Sequence, residues 1–222
     1  NLSKRNPNFA KTKFDTKLIL SKSPKQIQNL NKRNIANFTY MWNTIYDAVQ
    51  DDKSLVTPLL HWLRNSQNEG THPHRLGAEY LGGVVTDGKL YFEHALQNAR
   101  AYRLLMKAAV TQDKKQFNKT LKALKNNYKL IALTSKQNTK IDKGGLKNLM
   151  VIDGEWNVFD NNWWERYFNK HVAAIDGGID PNSIIDLATG KTLGEILGID
   201  NFGNPINNDL NTSKQKTRQQ IK

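Results

Sequence analysis

The sequence of 222 residues contains no cysteine. That absence removes disulfide staples, thiolate zinc sites and cysteine nucleophiles together. Proline is scarce, at six residues, so long stretches are left free to be helical. No run approaches about 18 consecutive apolar residues, and the first residues lack the apolar core of a signal peptide, so neither a spanning helix nor signal-peptide secretion is expected. Catalytic signatures are missing too. Gly190-Lys191-Thr192 has the ending of a phosphate-binding loop, but Ile185 stands where its first glycine is needed, and no Gly-x-Ser-x-Gly elbow occurs.

Acidic charge is the next scarcity, and it is local. Residues 1–33 carry nine Lys/Arg against one Asp, residues 113–148 ten Lys against two Asp, and residues 211–222 four basic residues and no acid. These three stretches sum to +20, while the whole chain is +13. The remainder is therefore negative: residues 34–112 balance at seven against seven, and residues 149–210 carry three basic and ten acidic groups. Segregated charge of this sign makes a directional field that favours a polyanion such as nucleic acid, or an acidic protein surface.

The chain is 38% apolar with five Trp, seven Tyr and eight Phe, enough for at least one globular core. A mean hydropathy of −0.67 owes much to Lys, Asn and Gln, a bias that AT-rich coding also produces. The chain opens on Asn1 without an initiator methionine, and asparagine is not one of the small residues left by simple methionine removal. It is expected to be a piece of a longer product.

Patterning predicts an α+β fold, a mainly helical core with two or three short β-hairpins and extended basic termini. Residues 1–22 read as a basic extended arm, without helical periodicity. Ser23-Pro24 signals a helix start, and apolar residues at Ile27, Leu30, Ile35, Phe38, Trp42, Ile45 and Val49 carry that helix to about Gln50. Further helices are expected over 56–65, 94–110 and 113–133, and over 163–174. A Lys/Thr/Asn-rich loop is expected before Gly144-Gly145. Asp87-Gly88 and Asp153-Gly154 predict hairpins near 83–93 and 146–159, Asp-Gly being the preferred type I′ turn. Strand, Asp-Gly, strand, helix would then occur twice, a likeness of pattern and not of residue identity. Residues 23–176 are expected to form the globular region. Residues 177–206 read as a Gly/Asn/Asp-rich loop region with one short hairpin, and 207–222 as a basic disordered tail.

Four residues carry a possible acid–base chemistry: His72, His74, Glu79 and His94. Pro73 stops a helix from presenting both histidines of the first pair on one face, as zincin-type sites require, so turn capping or backbone bonding accounts for them better. The acids in Asp176–Asp186 lack the ligand register of a calcium loop and read as turn chemistry. No metal or cofactor is expected. The aromatic run Trp156, Phe159, Trp163, Trp164, Tyr167 and Phe168 fits either a base-stacking platform or a core face, and its acidic surroundings favour the core.

The nucleic-acid candidates are Lys4, Arg5, Lys11 and Lys13 in the arm, and Lys114, Lys115, Lys119, Lys122, Lys125 and Lys129 on the Lys-rich helix, where only Asp113 offsets them.

The string HRLGAEYLGG, a hairpin, then YFEHALQNARAY resembles stretches of very large multi-domain virion proteins of tailed phages and of polyvalent proteins of mobile elements. It resembles especially those of AT-rich phages of Bacteroides-like hosts, and covers about residues 60–105. The resemblance implies a packaged, often cleaved protein that enters the host cytoplasm with DNA; it carries no catalytic residue across. The expectation is a non-enzymatic virion-associated segment of a larger phage protein that binds nucleic acid or neighbouring virion proteins. Two alternatives stand beside it: a small His/Glu-dependent nuclease or other hydrolase, and an assembly protein whose arms thread into neighbouring subunits.

Overall fold

A serine followed directly by proline starts the longest element. In the computed structural model, which describes residues 21–65, 79–83, 90–147, 149–152 and 155–206, helix α1 runs Pro24–Asp51. Ser23 and Gln26 form a reciprocal capping box at its start, satisfying two otherwise orphaned N–H groups. A 3-10 turn at Lys53–Leu55 leads to α2, Val56–Asn65, with Pro58 in its first turn as its missing N–H requires. Two strands follow, β1 (Glu79–Gly83) and β2 (Leu90–His94), then α3 (Asn98–Thr111) and α4 (Lys114–Asn127). Strand β3 (Lys129–Thr134) leads directly into α5 (Ser135–Lys143). The remainder is built of short pieces: 3-10 turns at Val158–Asp160, Trp163–Arg166 and Pro181–Ser183, α6 (Lys170–Ala173), β4 (Ile184–Asp186) and α7 (Leu193–Leu197).

The four strands form one mixed sheet in the order β2-β3-β1-β4, with β3 parallel to β1 and antiparallel to β2, and β4 antiparallel to β1. β3 is the wall between two cores. Its Leu130 belongs with Ile27, Phe38, Trp42, Phe117 and Leu124 of the helices, whereas Ile131 and Leu133 belong with Ile141, Trp163, Phe168, Ile184 and Leu193. The alternation of a strand sends successive side chains to opposite faces, so one six-residue segment serves both. Each large apolar side chain buried this way contributes about 1.5–3 kcal/mol.

The mainly helical α+β reading holds, and the helices at 24–51 and 56–65 fall where periodicity placed them. Strand pairing does not follow expectation. The Asp87-Gly88 turn lies outside the described residues, but β1 and β2 are not partners, because β3 is inserted between them. Residues 149–152 and 155–159 make no strand; Leu146 instead enters the second core while Met150 and Val158 enter the first. The pattern duplication goes with that hairpin.

Several helix assignments also change. The Lys-rich helix stops at Asn127, because the fully buried run Leu130–Leu133 is demanded by the sheet on both faces. The helix expected from residue 94 starts at Asn98, since His94 pairs with Leu130 as the last residue of β2. The segment expected as a loop before Gly144 is α5, started by a Thr134/Gln137 capping box. The helix expected over 163–174 is a 3-10 turn plus the single turn α6. Residues 177–206 do bear a hairpin-like piece, β4 bridged to Thr192, yet they also bury Ile179, Ile184, Leu193 and Ile199. Residues 1–20 of the expected arm 1–22, and the tail 207–222, lie outside the described residues.

Candidate nucleic-acid interface

Helix α4 has one buried side and one lysine side. Asp113 caps it by accepting from the Gln116 N–H at 2.8 Å, and Phe117, Leu121 and Leu124 seat it on the first core. Its lysines then divide into two groups by what they touch. Lys114 bonds Asp47 of α1 at 2.7 Å and lies over the Tyr46 ring, 4.3 Å from its centroid. Lys125 is half-buried and donates to the Thr39 hydroxyl at 3.1 Å; burial, and then the neighbouring Lys122 charge, hold its ammonium below the usual lysine range. These two lysines stitch α4 to α1. Because Lys114 meets residue 47 and Lys125 meets residue 39, the helices run antiparallel.

Lys115, Lys119 and Lys122 are exposed. Spaced four and three apart, they fall on one stripe about 10 Å long at 1.5 Å rise per residue. Lys129 is half-buried at the start of β3, in register with Glu79. Of the six candidates on and after this helix, three therefore face solvent and three are built into the fold. Lys4, Arg5, Lys11 and Lys13 lie outside the described residues.

The other half of the surface is not among the residues singled out from the sequence. No acidic residue stands between Asp15 and Asp47, and within that span α1 exposes Lys25, Lys32 and Arg33. At 3.6 residues per turn, Lys25 and Lys32 fall on the flank of α1 that also carries Thr39 and Asp47, the flank against which α4 lies. The exposed lysines of α4 and the basic half of α1 thus border one seam. The acid-free interval is the signal for it; charge totals over longer blocks hide it.

The acid–base candidates are not gathered. His72 and His74 lie outside the described residues. Glu79 and His94 sit on β1 and β2, which flank β3, so two strand spacings, about 10 Å, separate their backbones. The His94 ring lies against Tyr128, centroids 5.6 Å apart, and its carbonyl accepts from Arg166 at 2.7 Å. Among the described residues no group of three or more His, Asp or Glu is placed to hold a metal ion.

Arg166, only 3% exposed, is the centre of a different arrangement. Its guanidinium pairs with Glu93 at 2.5 Å and donates to the carbonyls of His94, Ala95, Leu146 and Lys147. It ties the end of β2 to the chain after α5. Burial pushes the Glu93 carboxyl above its usual range, and the Arg166 charge pulls it partly back.

Trp163, Tyr167 and Phe168 are buried in the second core, as the acidic surroundings of that run suggested, while Phe159 is exposed. Asp180 and Asp186 accept from the backbone N–H groups of Asn182 and Ala188, ordinary turn chemistry. No helix among the described residues is long and apolar enough to cross a membrane.

Compared with protein-family models, with curated proteins and with solved structures, the chain matches none.

Proposed function

We propose that this chain binds nucleic acid through the phosphate backbone, with the α1–α4 surface as the structured part of the interface and the basic termini as its extensions. It acts as a packaged, virion-associated segment of a larger phage protein, not as a catalyst. The observation that carries the reading is the stripe Lys115, Lys119 and Lys122, exposed on a helix whose only acid is its own cap. A helix face that needs solubility alone is stabilised by alternating Glu and Lys at i,i+4; of the five lysines on this 14-residue helix Lys114 has Asp47, while Lys115, Lys119 and Lys122 repel one another with no carboxylate paired to them among the described residues. Phosphates supply that charge, and releasing their condensed counterions drives binding.

The test is fluorescence anisotropy of a short duplex titrated with the full chain, between about 50 and 200 mM salt. Binding should weaken steeply, and the variant Lys115→Gln/Lys119→Gln/Lys122→Gln should flatten the log–log slope by roughly 3, at about 0.9 per phosphate contact. A wild-type slope near zero, or one the triple variant leaves unchanged, would exclude this interface.

A further inference from the structure

Along α1, several polar side chains are engaged: Gln28 donates to the Ala188 carbonyl, Asn43 to the Thr39 carbonyl, Thr44 to the Tyr40 carbonyl and Gln50 to the Ala109 carbonyl, and Asp47 takes Lys114. The outward ridge between Asn29 and Tyr40 is not. Asn29, Arg33, Asn37 and Tyr40, spaced four, four and three apart, are all exposed, Tyr40 to 76%. No hydrogen bond or ion pair engages these four side chains within the described residues.

This ridge does nothing for the helix that bears it. Asparagine and tyrosine are mediocre helix formers, and an aromatic ring in water gains no burial. The ridge spans about 16 Å along the helix axis, close to five base steps of 3.4 Å. Lys25 and Lys32 flank it on the side of α4. An α-helix fits the major groove of duplex DNA, arginine reads guanine through its O6 and N7, and asparagine reads adenine through its N6 and N7.

We infer that the outer ridge of α1 enters the major groove and reads base edges with Asn29, Arg33 and Asn37, while Lys25, Lys32 and the α4 stripe hold the flanking phosphates. The inference rests on the backbone-binding reading and adds sequence preference and a duplex substrate to it. The full acid-free interval gives the charge complementarity, and the unengaged donors and acceptors give the readout.

The experiment is selection of bound molecules from a randomised duplex pool, with salt slopes measured in parallel, on the full chain and two variants. The wild type should enrich a short motif. Asn29→Ala/Arg33→Ala/Asn37→Ala places better helix formers at solvent positions, so it keeps the fold. It should lose roughly tenfold or more of the preference for the enriched motif while retaining most of the slope. Arg33→Lys should keep the whole slope and still lose the guanine preference, because an ammonium lacks the planar fork. No enriched motif, or a motif that survives both variants, overturns the inference and leaves backbone binding standing. Single-strand binding tighter than duplex binding overturns it as well. A wild-type slope near zero overturns the backbone reading itself.

Discussion

The two cores on either side of β3 are built by opposite means. The first is made of long helices: α1, α3 and α4 contribute Phe38, Trp42, Leu105 and Phe117, each fully buried, and the load is spread over many apolar contacts. The second is assembled mostly from short pieces, and the chain leaving β2 and α5 there presents backbone carbonyls that need partners. Arg166 takes four of them, those of His94, Ala95, Leu146 and Lys147, with Glu93 balancing its charge. The acids of the second half cap turns, as Asp180, Asp186, Glu195 and Asp200 do, while exposed lysines stand on both sides of β3: Lys115, Lys119 and Lys122 on α4, Lys136 and Lys143 on α5. An acid bonded to its own backbone serves the fold.

The largest expected effect falls on the second half. Arg166→Met strands the Glu93 carboxylate in a buried site and should destabilise the protein by about 3–5 kcal/mol. The sign of its pH dependence follows from the raised Glu93 pKa. The folded state holds that proton more tightly than the unfolded state, so stability falls as pH rises from the ordinary 4.5 through the folded value. Removing Arg166, whose charge lowers that value, widens the window upward. Urea midpoints should show a larger deficit for Arg166→Met at neutral pH than in mild acid; an equal deficit at both would mean Glu93 is not the group left unpaired.

A smaller effect is expected at the helical end. Ser23→Ala deletes one cap of a helix held along its whole length by core contacts, and should cost about 1 kcal/mol. Faster amide hydrogen exchange at Gln26, whose N–H the Ser23 hydroxyl accepts, with a urea midpoint lowered far less than by Arg166→Met, is the expected readout. A collapse as large as that of Arg166→Met would erase the contrast between distributed and concentrated support.

The same contrast governs what is legible in the sequence. α1 is legible because Ser23-Pro24 marks its start and its apolar residues keep a three-to-four spacing to Val49. β3 is not, because Leu130, Ile131, Ala132 and Leu133 are all buried and an unbroken apolar run has no period. Thr134-x-x-Gln137 does announce α5, but the polar composition of the segment masks it as a loop. The Asp-Gly turns mislead for another reason: a turn signal speaks for neighbours in sequence, while β1 finds its partner β3 some fifty residues on, between Tyr80 and Leu130. Of the site, the lysines of α4 are legible as charge. Their division into stitching and exposed sets is not, since it depends on Asp47 and Thr39 of a distant helix.

The most direct test of the account compares the two halves in one experiment: amide resonances of the full chain, followed by NMR as a short duplex is added at low salt. Shifts should concentrate at Lys32, Arg33, Asn37, Lys115, Lys119 and Lys122, with Trp164, Glu165 and residues 176–186 unmoved. Shifts centred on that second half, or none at saturating duplex, would contradict it.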